Sequence, residues 1–214
     1  ITFDNGKMPK MSVKMYKAMR EGEGWGEGEI MEDEPFNDKE SHVGNGAFSP
    51  DGKRFYFNRC KLGDGLKMHC EIYMSTREGG DWSKPEKLKD INHSDYTTTH
   101  PTVAKTKGKE YLYFSSDREG GRGGMDIWYS EIRKGVHTTP RNAGTRINTD
   151  KDEITPFYDT ETDTMYISSN GHINIGGFDV FSTTGYGRSW QKPTNVGFPL
   201  SLIHISEPTR REGI

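Results

Sequence analysis

One pattern is written three times in this chain, and a chain that repeats itself folds into stacked copies of one unit. The copies are FYFNRCKLGDGLKMHCEIYMSTREGGDW, LYFSSDREGGRGGMDIWYSEI and MYISSNGHINIGGFDVFSTTGYGRSW. Each runs from a hydrophobic segment through a Gly-rich loop to an acidic residue followed by two apolar ones. Glu71-Ile72-Tyr73, Asp126-Ile127-Trp128 and Asp179-Val180-Phe181 lie 55 and 53 residues apart, and Asn37, Asn92 and Asn148 lie 55 and 56 apart. Trp25, Trp82 and Trp190 fall on the same lattice, and the Thr138 region stands where a Trp is missing.

A period near 55 suits four strands of about five residues each with their connections. The turn Ser49-Pro50-Asp51-Gly52 combines a Pro-set φ with a Gly free to take positive φ, and Asp51 and Gly52 therefore count as structural motif residues. Phe55-Tyr56-Phe57, Leu112-Tyr113-Phe114 and Met165-Tyr166-Ile167 read as buried second strands. A third strand follows each Gly-rich loop, and an outer strand opens at Trp82 or Trp190 with the pairs Lys84-Pro85 and Lys192-Pro193, proline being tolerated at a sheet edge.

Four strands ordered from a buried interior to a Pro-bearing edge make a blade. The expectation is all-β, a β-propeller fragment of about three and a half four-stranded antiparallel blades. The units run over residues 1–41 (partial), 42–97, 98–153 and 154–200. In the partial unit Ile1 to Asp4 read as the second strand, Met15-Tyr16 as the third and Trp25 to Phe36 as the fourth. The chain is thus expected to be a piece of a larger ring, and an open ring, with two blade faces bare, is expected to associate or be partly molten. Residues 201–214 resemble the in-frame translation of a sequencing-library adapter, with Ser201 where the repeat calls for Asn, and are set aside as non-native.

With 29 basic and 32 acidic residues, a net charge of -3 leaves no basic footprint for nucleic acid. The 26 Gly, 10 Tyr, 10 Phe and 4 Trp fit short strands and tight turns even though only 30% of residues are hydrophobic. No run reaches the ~18 apolar residues of a membrane span. Cys60 and Cys70 flank a hairpin loop, at positions held by Asp117 with Met125 and Asn170 with Phe178 in the next units. Facing positions of this kind suit a disulfide, which would place the chain in an oxidising compartment such as the periplasm. Two structural thiols, or a metal or redox role, stay open as alternatives.

Asp117 and Asp126 in SSDREGGRGGMD are oxygen donors beside glycines, but their spacing matches no Ca²⁺ loop. The structural alternative is a hairpin reversal in which Arg118 and Asp126 pair locally. Ser49, His100 and His172 show no nucleophile-elbow spacing, and no catalytic residue, metal ligand or cofactor is expected. The polar stretches between units reach one mouth of a central channel. There His42, Tyr96, Thr97, Asp152 and Glu153 are candidate partner-binding residues. Trp82, Arg118, Asp126, Asp179 and Trp190 join Asp51 and Gly52 as the structural blade motif.

The turn Phe48-Ser49-Pro50-Asp51-Gly52-Lys53 before an aromatic strand, together with SSDREGG…GGMDIW and the Trp-Ser-Lys-Pro outer strand, resembles the WD-like repeat of TolB-type propellers. More closely it resembles the propeller of OmpA-family, peptidoglycan-associated outer-membrane lipoproteins, some linked with type IX secretion and gliding. That resemblance implies a non-enzymatic periplasmic scaffold, outer-membrane associated, whose partners are other envelope proteins. Peptidoglycan would be reached only through a domain absent from this chain, with no nucleic acid and no direct membrane span. Two rivals belong to other classes. One is the substrate-gating propeller of a prolyl-oligopeptidase-like serine peptidase, and the other a propeller glycosidase with carboxylates converging on the axis.

Overall fold

A computed structural model of the chain describes residues 13–32, 35–63, 67–174, 176–197 and 200. The segments read as Ile1 to Asp4 and as adapter sequence, 201–214, lie outside the described residues. Strands follow one another in the order β1 (Tyr16–Lys17), β2 (Arg20–Glu21), β3 (Gly24–Trp25), β4 (Glu29–Ile30), β5 (His42–Phe48), β6 (Arg54–Leu62), β7 (Met68–Thr76) and β8 (Glu86–Lys87). They continue with β9 (Thr98–Thr106), β10 (Lys109–Ser116), β11 (Asp126–Arg133), β12 (Val136–His137), β13 (Arg141–Asn142), β14 (Glu153–Asp159), β15 (Thr164–Ser169), β16 (Asp179–Tyr186), β17 (Ser189–Trp190) and β18 (Thr194–Asn195).

Every pairing is antiparallel, and the sheets are successive meanders: β5-β6-β7-β8, then β9-β10-β11 and then β14-β15-β16. The outer strand is broken into two short pieces in the later units, β12 and β13 on β11, β17 and β18 on β16. In the first of these sheets the Arg77–Trp82 bridge and β8 take those places. Met31 donates its N–H to the Met15 carbonyl, so the start of the chain supplies the same third-to-outer pairing for a preceding unit. These are the blades of a β-propeller, called blades 1 to 3 below. Among the described residues no helix is long and apolar enough to cross a membrane.

The core lies between blades. Tyr56, Ile72, Leu88 and Ile91 of blade 1 pack on Val103, Leu112, Phe114 and Trp128 of blade 2, while Tyr113, Ile127 and Ile147 of blade 2 meet Tyr158, Met165, Phe181 and Trp190 of blade 3. Within each blade the repeated Asn fixes the outer turn. Its side chain accepts from and donates to the backbone of a single third-strand residue: Asn37 on Met15 (2.9 and 3.0 Å), Asn92 on Ile72 (both 2.7 Å) and Asn148 on Ile127 (2.8 and 2.9 Å). A carboxamide is the group that can both accept and donate in this way.

The repeated Trp closes the seam to the preceding blade. Trp190 packs edge-on against Tyr113 at 5.6 Å, and its indole N–H donates to the Gly187 carbonyl at 2.9 Å. Between blades 1 and 2 the equivalent residue is His137, one position before the Thr138 region expected from sequence. Its ring stands edge-on to Tyr56 at 5.7 Å, with Nε2 3.2 Å from the phenol oxygen. Arg54 donates to Tyr56 and forms an ion pair with Glu110 of blade 2 at 2.7 Å. Burial, reinforced by Arg54 and opposed by Asp90, pushes the His137 imidazole down from its usual 6.5 to about 4.

Two outcomes follow for unfolding experiments. Asn148→Ala leaves the buried N–H of Ile127 without a partner, while its carbonyl still accepts the Ala143 N–H, and should lower stability by about 1–3 kcal/mol in a urea titration. Because the folded state holds His137 neutral, its contribution is complete above pH 6.5 and lost as pH falls towards 4. The wild type should therefore lose roughly 1–2 kcal/mol across that window. His137→Phe should flatten that part of the stability profile.

Candidate functional site

The innermost strands β5, β9 and β14 share an irregularity that decides the shape of the axis. In each, two residues oppose a single residue of the neighbouring strand: Asn45-Gly46 against Phe57, His100-Pro101 against Phe114, and Thr155-Pro156 against Ile167. The first residue of each pair has positive φ, 46° at Asn45, 53° at His100 and 50° at Thr155. The spacing is 55 residues both times. A β-branched residue such as Thr155 enters that region only when its surroundings force it. These are β-bulges, and they bend three inner strands in step.

The bent strands enclose an axial groove of about 680 Å³. Its walls carry Phe48, Pro50, His100, Pro101, Pro156 and Phe157, and the described lining holds no Asp or Glu. Phe48 and Phe157 are 58% and 60% exposed, which is unusual for rings beside a well-filled core. His100 donates its backbone N–H to Asn58 at 3.1 Å, and burial pushes its imidazole below the usual value. Its Nδ1 is buried without a hydrogen-bond partner. The bulges escape a reading of the sequence because THPTV and ITPFY look like strands. The signal that could have revealed them is Pro at the same repeat position in two blades.

The candidate channel-mouth residues are placed elsewhere, at the seams. His42 accepts the N–H of Val13 at 3.2 Å, and the Thr97 hydroxyl donates at 3.1 Å to the Met68 carbonyl at the start of β7. Asp152 accepts the N–H of Met125 at 2.8 Å. Tyr96 lies against His93, ring centroids 4.9 Å apart and planes tilted by 40°. Glu153 corrects the expectation most plainly. It is fully buried, accepting from the Thr149 N–H and the Thr149 and Ser169 hydroxyls, so it lines no ligand surface.

Arg118 and Asp126 do not pair, contrary to the local pairing expected. Arg118 reaches back to the Ile91 carbonyl of blade 1 at 2.7 Å and lies over Phe114 and Trp128, and burial takes its guanidinium down to about 10. Arg59 does the same to the Phe36 carbonyl at 2.9 Å, and His172 to that of Ile147 at 2.7 Å. Because a carbonyl only accepts, Nε2 is the protonated nitrogen of His172. Asp126 accepts the N–H groups of Arg122 and Gly123 and an N–H of Asn142, and Asp179 accepts from Asn195. Asp51 accepts the Ser49 hydroxyl at 2.5 Å in the turn that Gly52 closes with φ 68°. Trp82 lies under the Arg77 guanidinium at 4.9 Å. Asp117 accepts from Thr97 and faces Lys67, and among the described residues no three His, Cys, Asp or Glu side chains form a metal-binding group.

No family model and no curated protein matches this chain. Solved structures similar to it include TolB from Acinetobacter baumannii, 14% identical with a TM-score of 0.42, over 66% of this chain and 29% of that one. A puromycin-hydrolyzing peptidase from Mycobacterium tuberculosis is 13% identical with a TM-score of 0.48, over 84% of this chain and 30% of that one. The chain thus spans less than a third of either. A thermostable family-43 glycoside hydrolase is 13% identical with a TM-score of 0.47, over 87% of this chain and 73% of that one. The expectation of a chain without catalysis is corrected here: with glycoside hydrolases among these structures, an architecture of this kind is no ground for excluding an enzyme.

Cys60 and Cys70, register partners on β6 and β7, form a disulfide with Cα atoms 4.0 Å apart. It clamps the hairpin between β6 and β7, whereas the equivalents of Cys60 in the other blades, Asp117 and Asn170, accept the N–H of the residue leading into the inner strand, Thr97 and Asp152. For a loop this short, reduction should cost about 2–3 kcal/mol, read as a lower urea midpoint with dithiothreitol, and Cys60→Ser/Cys70→Ser should remove the effect of the reductant.

Proposed function

We propose that this chain is part of a periplasmic propeller that docks other envelope proteins through its axial groove. In this reading it belongs to an outer-membrane, peptidoglycan-associated protein whose contact with peptidoglycan lies in a separate OmpA-like domain. The observation that carries the reading is the groove itself, where Phe48 and Phe157 stay exposed on walls bent by three bulges. Exposed apolar surface of this kind marks interaction sites. The Cys60–Cys70 disulfide supports an oxidising compartment, and the TolB-like repeat supports the envelope.

The test is site-specific photocrosslinking in the periplasm, with benzoylphenylalanine at Phe157 in the groove or at Val136, 64% exposed on an outer strand. A discrete adduct with an envelope protein from position 157 and none from 136 is expected. No adduct at 157, or the same adducts from both positions, overturns the groove as the docking site.

A further inference from the structure

A second cleft, of about 330 Å³, opens between blades 2 and 3 at the ends of the strands away from the Gly-rich loops. Three tyrosines and three arginines converge on it: Tyr111 from β10, Tyr129 and Arg133 from β11, Arg141 from β13, Tyr186 from the end of β16 and Arg188 from the turn into β17. The ring of Tyr111 lies 5.9 Å from that of Tyr129 and 6.1 Å from that of Tyr186.

Apart from Arg133, the polar ends of these side chains are not used up by the fold. The neighbouring phenols are engaged, Tyr113 accepting the Gly187 N–H at 2.9 Å and Tyr158 donating to Asp163 at 3.2 Å. The hydroxyls of Tyr111, Tyr129 and Tyr186 have no hydrogen-bond partner among the described residues and open to solvent in the cleft, while the rings of Tyr111 and Tyr129 are buried. Three phenols left open side by side in one cleft can each donate to or accept from a ligand that enters it. The guanidinium groups of Arg141 and Arg188 likewise meet no carboxylate or carbonyl among the described residues. Glu131 is the acidic residue of the lining and is already held by Arg133 at 2.8 Å and Lys109 at 3.7 Å. The cleft is therefore strongly positive in a chain whose net charge is -3.

Each simple ligand class leaves part of this set idle. An inorganic anion would engage the guanidinium forks and leave the phenols open. A neutral sugar would bond the phenols and leave two positive forks unmatched. We infer that the cleft binds an acidic saccharide of the uronic-acid type, its carboxylate taken by Arg141 and Arg188 and its hydroxyls by Tyr111, Tyr129 and Tyr186. Guanidinium forks match carboxylates in a bidentate manner. The half-exposed ring of Tyr186 offers an apolar face to the sugar. Burial and the nearby Glu131 push the Tyr111 hydroxyl up, which keeps it protonated as a donor. The cleft and the axial groove share no lining residue, so binding in one is read separately from docking in the other.

The experiment is calorimetric titration of the full chain at low salt with digalacturonate, against lactose and inorganic phosphate. Saturable one-to-one binding of digalacturonate is expected, at least about tenfold tighter than either control. Arg141→Ala/Arg188→Ala should weaken it about tenfold or more, while Phe157→Ala leaves it unchanged. Both arginines are exposed, so the double variant should unfold at the wild-type midpoint. Three results overturn the inference: no saturable binding of digalacturonate to the wild type, phosphate binding as tightly, or an unchanged affinity in the double variant.

Discussion

The two-way hydrogen bond between an Asn carboxamide and one third-strand residue holds the rest of the architecture in place. Short outer strands of two residues have little to hold them, and Asn37, Asn92 and Asn148 tie the turn that follows them to the deepest part of the blade. The tie also orients the carbonyl of the preceding residue. Phe36, Ile91 and Ile147 offer those oxygens to the next blade, where Arg59, Arg118 and His172 take them. A bond within one blade thus prepares the bond between blades, and the aromatic residues under Arg59 and Arg118 hold these cations in place.

The blades carry out equivalent tasks with different chemistry. The acidic residue at the start of the third strand meets its outer-strand partner as an ion pair in blade 1, Glu71 with Lys87, and as a hydrogen bond in the others, Asp126 with Asn142 and Asp179 with Asn195. The end of the second strand is tied across the hairpin by a disulfide in one blade and to the lead-in of the inner strand by a side-chain to backbone bond in the other two. The seam residue is Trp on one side of blade 2 and His137 on the other, which makes the interface of blades 1 and 2 the more polar of the two. Divergence at fixed geometry explains why the repeat is recognisable although its copies differ at most positions.

What could be read from the sequence was whatever the period positions: the all-β blades, the facing cysteines at one hairpin and the spacing of the repeated Asn, though not the bonds that Asn makes. Long-range reach could not be read. Arg118 looked like a local partner for Asp126 because they share one loop, yet a long side chain with burial on its aromatic flank finds a carbonyl 27 residues back. Glu153 looked like a surface carboxylate, and its hydrogen bonds to Thr149 and Ser169 hide it. The Tyr and Arg cleft combines residues of five strand or turn segments from two blades, with no local spacing to announce it.

The three bulges have a structural effect beyond the shape of the groove. Inner strands of neighbouring blades run side by side, and flat edges so placed would tend to pair with one another. Positive φ at Asn45, His100 and Thr155 turns each ladder out of line, and Pro101 and Pro156 have no N–H to give. The innermost edges are therefore poor sheet partners for one another, and β5, β9 and β14 stay unpaired with each other along the groove they line.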